Sequence, residues 1–143
     1  MECKLVIDKN EKERVVIYAK EKTPEIERII KLVEGEEKMF VGYDDDRIIP
    51  LDPEAITAFI SETGGVYAVM GKKKIAVRDR LYSLEERLGR SFLRINQSCL
   101  ANVSKIARFE ATLGAALAVI FKDGYRDYVS RRQLKHVKER IGF

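Results

Sequence analysis

Phe92-Leu93-Arg94-Ile95-Asn96-Gln97-Ser98-Cys99-Leu100-Ala101-Asn102-Val103-Ser104-Lys105-Ile106 is the stretch on which the reading of this chain turns. Its opening alternates, so a strand places Leu93 and Ile95 on one face and Phe92, Arg94 and Asn96 on the other, and one face is expected to be core. Asn96 to Cys99 lack a periodic apolar pattern and read as a polar loop, after which Leu100 and Val103 return to the core. A loop pinned at both ends by packing is a good platform for amide, hydroxyl and guanidinium groups, which bond phosphate oxygens and base edges. The same composition also suits a plain polar turn beside a buried strand, so the stretch alone leaves both readings open.

A second polar stretch lies further on, at Ser130-Arg131-Arg132-Gln133. Ser with Gln three residues later is a capping-box pattern, and Leu134, Val137 and Ile141 then mark one apolar helix face. Arg131 and Arg132 fall in the first helical turn, where a cation opposes the helix dipole by about 0.3–1 kcal/mol, so an anionic ligand accounts for them better than local stability does. Lys135, Lys138 and Arg140 sit toward the favourable end and need no ligand. Asp123-Gly124 before this stretch is a hairpin signal, with strands expected on either side at Ala115 to Lys122 and Tyr125 to Val129, and another at Ala107 to Thr112.

Between Met39 and Val77 the pattern is one of short strands: Met39–Tyr43, Arg47–Leu51, Ala55–Ile60, Val66–Met70 and Lys74–Val77, broken by Asp, Gly and Lys clusters. Asp79 to Leu88 reads as a short helix capped by Asp79 and closed by Gly89. At the start, Cys3–Ile7 and Arg14–Ala19 read as a hairpin around a polar loop, and Thr23, Pro24 and Gly35 bracket a helix with Ile26, Ile29, Ile30 and Val33 on one side. The expected organisation is a small ββα extension over residues 1–38 and a mainly β domain with short helices over 39–143. So small an extension is expected to pack on the main domain or on another subunit.

The order Phe92, Arg94, Ile95, Ser98, Asn102, Ile106, Asp123, Gly124, Val129, Ser130, Arg131, Arg132 resembles the LytTR DNA-binding domain of bacterial transcription regulators. The resemblance runs from about Phe40 onward and is fairly specific in order and spacing. It implies an elongated antiparallel β fold, a stand-alone member with a short N-terminal extension and no receiver domain, and loops that enter successive major grooves. It also implies protomers paired on direct repeats of double-stranded DNA, a homodimer at least there, and a small membrane protein as regulatory partner. Carried over by position, the DNA-contacting set is Arg94, Gln97, Ser98, Asn102, Lys105, Arg131 and Arg132. Gln97 and Arg132 are assigned to bases, since an amide pairs with adenine and a guanidinium with guanine through two bonds each. Arg94, Ser98 and Lys105 are assigned to phosphates. One departure stands out: many members carry a base-reading side chain in the loop after the strand matching Ala55–Ile60, where this chain has Glu62-Thr63-Gly64-Gly65. Either the two later loops carry the specificity, or the glycines permit close backbone approach to phosphate.

Charge is distributed as this reading requires. Met1–Asp46 holds nine Lys and Arg against thirteen Asp and Glu, net −4, whereas Arg90–Phe143 holds eleven against four, net +7. A basic C-terminal half suits a nucleic-acid face, because neutralising phosphates releases counterions. The rival readings are a protein-interaction or ligand-sensing module with an incidental basic surface, and an RNA-binding protein. Exposed aromatics at strand spacing would favour RNA, yet Phe92, Phe109, Phe121 and Tyr128 fit core positions equally well. An enzyme, a cofactor or a metal has little support. His136 is the sole histidine, Asp44-Asp45-Asp46 lacks the spacing of a calcium loop, and neither Gly64-Gly65 nor Gly71-Lys72-Lys73-Lys74 completes a phosphate loop. Cys3 and Cys99 read as free thiols, with Cys99 redox-sensitive only if exposed. No apolar run reaches membrane-span length and no secretory pattern opens the chain, so a cytoplasmic protein is expected.

Overall fold

A computed structural model describes residues 2–35, 39–114 and 116–142. The chain divides into two compact units, Met1–Glu37 and Lys38–Phe143. The expected boundary at residue 38 lies outside the described residues.

In the first unit the helix α1 spans Pro24–Glu34 and begins and ends where its signals stand. Thr23 Oγ1 accepts from Ile26 N–H at 3.3 Å, Pro24 opens the first turn, and Gly35 closes it at φ 70°. The expected hairpin ahead of it forms only its turn. Glu11 N–H donates to Asp8 O at 3.3 Å, but Cys3–Ile7 and Arg14–Ala19 carry no backbone ladder. The physical reason is plain: Leu5, Val6, Ile7, Val15, Val16 and Tyr18 are all exposed, and a two-stranded ribbon without a buried face is marginal in water.

The second unit is mainly antiparallel β with two further helices. In chain order it comprises β1 (Val41–Asp44), β2 (Arg47–Pro50), β3 (Ala58–Glu62), β4 (Gly65–Met70), β5 (Lys73–Val77), α2 (Leu81–Leu88), β6 (Phe92–Asn96), β7 (Cys99–Asn102), β8 (Ile106–Ala111), β9 (Leu117–Phe121), β10 (Arg126–Val129) and α3 (Arg131–Ile141). Seven strands form one sheet in the order β2-β1-β5-β4-β3-β7-β6, and β10-β9-β8 form another.

The large sheet carries a core on each face, and strand alternation decides which residue goes where. Ala58, Ile60, Val69, Leu93, Ile95, Cys99 and Ala101 join Val119 and Phe121 of β9, Val129 of β10 and Val137 of α3 in one core. Phe59, Ala68, Phe92 and Leu100 join Leu51, Ile56, and Leu81 and Leu84 of α2 in the other. Only one face of β6 was expected to be core, yet Phe92 is as buried as Leu93 and Ile95. Each such fully buried side chain contributes about 1.5–3 kcal/mol relative to exposure, so the β6–β7 hairpin is among the most firmly held elements of the unit.

Two local expectations shift. Ala55–Ile60 is not continuous strand: Asp52 caps a 3₁₀ turn at Pro53–Ala55, its Oδ1 accepting from Glu54 N–H at 3.0 Å, and β3 starts only at Ala58. The cap position of α2 is Arg80, without a side-chain bond, while Asp79 pairs with Arg87 at 3.5 Å.

Candidate nucleic-acid interface

β3 and β6 both run antiparallel to β7, so their C-terminal turns emerge at the same end of the large sheet. The turn after β6 is two residues, Gln97-Ser98, rather than the four-residue loop expected, because Asn96 pairs with Cys99 across it. The turn after β3 is Thr63-Gly64, closed by the Glu62–Gly65 pair, and Ser61 N–H donates to Ser98 O at 2.8 Å, which ties the two turns side by side. Gly64 and Gly65 have φ of 101° and 151°, and a Cβ on Gly65 would meet nothing. Backbone conformation, not crowding, keeps side chains off Gly64 and Gly65.

The junction between β10 and α3 is brought to the same end. Ser130 N–H donates to Ile95 O at 2.9 Å, and the Asn96 amide donates to Tyr128 O at 2.8 Å and Asp127 Oδ1 at 3.0 Å. Asn96 Oδ1 in turn accepts from Ser98 N–H at 2.8 Å. One side chain thus shapes the Gln97-Ser98 turn and docks it on the strand leading to Ser130. Ser130 Oγ caps α3 by accepting from Gln133 N–H at 3.3 Å, the half of the expected capping box that forms, since Ser130 N–H goes to Ile95 O. Gln97 and Ser98 on the turn, and Arg131 and Arg132 after the docked junction, are all exposed.

The other three expected contact residues do not join them as free donors. Arg94 is a brace: its Nε donates to Glu85 at 2.7 Å and its Nη1 to Gln97 O at 2.8 Å, with the side chain only 17% exposed. Asn102 is buried, and its amide is consumed inside the fold, donating to Ile56 O at 2.8 Å and accepting from Ser104 N–H at 3.1 Å and Ser104 Oγ–H at 2.8 Å. Its assignment to DNA is corrected to a structural role, since a side chain with both ends bonded in the interior has none left for a ligand. Lys105 follows β7 and so stands at the opposite end of the sheet, its carbonyl accepting from Lys122 N–H at 2.8 Å. A four-residue strand at ~3.3 Å per residue puts it roughly 13 Å or more from the turn.

The cysteine in this stretch is core. Cys99 is fully buried, and burial, then the neighbouring Asp127 carboxylate, pushes its thiol well above the usual range, so it is not a reactive thiolate. His136 is exposed on α3.

Arg87, Arg94, Arg108, Arg126 and Lys74 each meet a carboxylate within 3.5 Å, whereas Arg131 and Arg132, like Lys105, have no carboxylate partner among the described residues. Asn96 is the positioning residue the sequence reading passed over. Its signal was present: Asn-x-Ser occurs at Asn96-Gln97-Ser98 and again at Asn102-Val103-Ser104, and both form the Asx turn that such a spacing permits.

Residues 46–142 match the family model described as the LytTr DNA-binding domain. An uncharacterised HTH-type transcriptional regulator from Staphylococcus aureus strain NCTC 8325 is 31% identical over an alignment spanning 99% of this chain and 98% of the relative. A relative of the same description from strain MW2 is 30% identical over the same shares. A solved LytTr DNA-binding domain from Bacillus cereus superposes with a TM-score of 0.69 at 18% identity, covering 75% of this chain and 99% of that one. The relatives' name refers to a helix-turn-helix, but in this chain α2 and α3 are separated by five strands, so no such tandem pair exists in the second unit's described residues. What matches is the β framework and its turns, and the chain belongs to the LytTR DNA-binding domain family.

Proposed function

We propose that this protein is a sequence-specific DNA-binding transcription regulator that reads the major groove with two adjacent elements, the Gln97-Ser98 turn and the Arg131-Arg132 start of α3. Gln97 and Arg132 contact base edges, Ser98 and Arg131 contact phosphates, and Arg94 holds the first turn in shape. The Thr63-Gly64 turn offers backbone and, as side chain, only the short Thr63 hydroxyl. The single observation that carries this reading is the Asn96 linkage, which fixes both exposed polar elements on one rigid end of a sheet packed on both faces. Preorganised donors of this kind suit recognition, and their neighbours are bonded so that the turns cannot fold away.

In this reading two protomers occupy direct repeats, and the first unit, with eight Lys and Arg against ten Asp and Glu, net −2 over Met1–Glu37, makes contacts between protomers or with a regulatory partner rather than with DNA. The protein then works in the cytoplasm. Among the described residues no helix is long and apolar enough to cross a membrane.

Selection of bound fragments from random duplex DNA tests the proposal. Gln97→Ala and Arg132→Ala are each expected to cost about 1–3 kcal/mol on the selected site and to relax preference at one or two base pairs. Equal weakening on selected and unrelated duplexes would refute base reading by these residues.

A further inference from the structure

The polar elements above occupy only the first turn of α3, yet cations continue along the helix. We propose that the solvent face of α3 is itself a phosphate-backbone surface, on which Arg131, Lys135 and Lys138 follow one DNA strand away from the base-reading turns. This rests on the DNA-binding reading and extends it to where the protein's positioning contacts run.

Positions 131, 135 and 138 follow the i, i+4, i+7 spacing of a single helix face, and all three are exposed. None has a carboxylate partner among the described residues, in contrast to the paired cations of β5, α2, β6, β8 and β10. They line a shallow groove of about 600 Å³ with Leu134, Glu139 and Gly142, in which Glu139 is the one carboxylate and forms no ion pair with them. At 1.5 Å rise per residue the stripe spans roughly 10 Å, long enough to pass about two to three successive phosphates of one strand.

The helix is held at both ends, so the stripe is a fixed surface. Ser130 N–H is bonded to β6 through Ile95 O, Val137 is fully buried, and Arg140 Nη2 donates to Arg90 O at 2.6 Å. The helix dipole accounts for Lys138 in the last turn; Lys135, expected toward the favourable end, is instead mid-helix, where the dipole is weak, and the dipole opposes Arg131 in the first turn. A stripe that ignores the dipole and continues from a base-reading junction fits an external polyanion better.

The test uses the full chain, the selected duplex and an unrelated duplex of equal length, titrated between 50 and 200 mM salt. Lys135→Gln/Lys138→Gln is compared with Lys9→Gln/Lys12→Gln, which makes the same charge change in the first unit. Losing two phosphate contacts should lower the salt slope by about 1.8 and weaken both duplexes alike, roughly 60-fold near 0.1 M, with base preference and Tm preserved. An unchanged slope and affinity overturns the proposal while leaving the base-reading proposal intact. A fall in Tm without a slope change overturns it in favour of the dipole, and an equal effect from the Lys9/Lys12 variant overturns it in favour of net charge. If the unaltered protein binds no duplex, the underlying DNA reading fails first.

Discussion

Asn102→Ala separates a structural amide from a DNA-contacting one. The substitution removes three well-formed bonds, to Ile56 O at 2.8 Å, from Ser104 N–H at 3.1 Å and from Ser104 Oγ–H at 2.8 Å, and strands the Ile56 carbonyl in the interior. Net bond values of about 0.5–1.5 kcal/mol, together with about 1–3 kcal/mol for an unsatisfied buried group, give an expected loss of about 2–4 kcal/mol. For a unit of this size that lowers Tm by roughly 10–25 °C. Asn102→Asp sharpens the argument, because it keeps the acceptor for Ser104 but turns a carboxylate toward the carbonyls of Pro53, Glu54 and Ile56, which offer no donor. Its folded pKa must therefore rise above the unfolded value of about 3.9. Since the raised value favours the protonated form on folding, stability is best retained below about pH 4, falls as pH rises through the folded pKa, and is level beyond it. Thermal unfolding of both variants from pH 3.5 to 8, with DNA affinity measured well below each Tm, gives the comparison. The alanine deficit should be nearly independent of pH and the aspartate deficit should grow with it. An Asn102→Ala protein with unchanged Tm and lost DNA affinity would refute the structural assignment.

Other expectations follow from the same geometry. Arg94→Ala removes the brace between Glu85 and the Gln97 carbonyl, so selected-site preference should fall more than the salt slope; a drop in slope of about one with preference intact would restore Arg94 as a phosphate contact. Burial opposes ionisation of Asp123, but hydrogen bonds from Thr57 Oγ1 and the N–H groups of Tyr125 and Gly71 outweigh it and hold its carboxyl below the usual range. Its stabilising contribution is therefore present above about pH 4 and lost as pH falls through the depressed value, and Asp123→Asn should flatten acid unfolding curves in that window. One thiol, Cys3, should react with a thiol reagent in the native protein and two in denaturant; rapid native modification of Cys99 would contradict its burial. Deleting residues 1–37 should alter oligomeric state or regulation and leave half-site preference, as judged by sedimentation and binding of the truncated, folded protein.

The strand content of the second unit was legible because alternation and turn chemistry agree there: Asp-Gly before β10, Asp44–Asp46 between β1 and β2, and Gly114 ahead of β9 all mark real turns. The Ser130 cap was equally plain, because an N-cap is a local interaction encoded within four residues. What escaped was non-local. The fates of Arg94 and Asn102 depend on Glu85 and Ile56, partners that no local pattern names. The two-sided core hid the length of the turn after β6, since a strand buried on both faces has no clean alternation to stop where it ends. The first hairpin failed for the opposite reason: its β-prone residues satisfied propensity, but nothing buries them.

On the proposed reading of these turns, the burial of β6 and β7 on both faces also limits how such a protein can be retargeted. Asn96 is occupied by Asp127, Tyr128 and Ser98, Cys99 has no room, and Arg94 is engaged with Glu85. Freedom to vary is left at Gln97 and Ser98, two adjacent letters on an otherwise fixed line of text. A library confined to these positions and to Arg131 and Arg132 spans the alphabet this end of the fold can write with, and altering the neighbouring letters erases the page instead of changing the word.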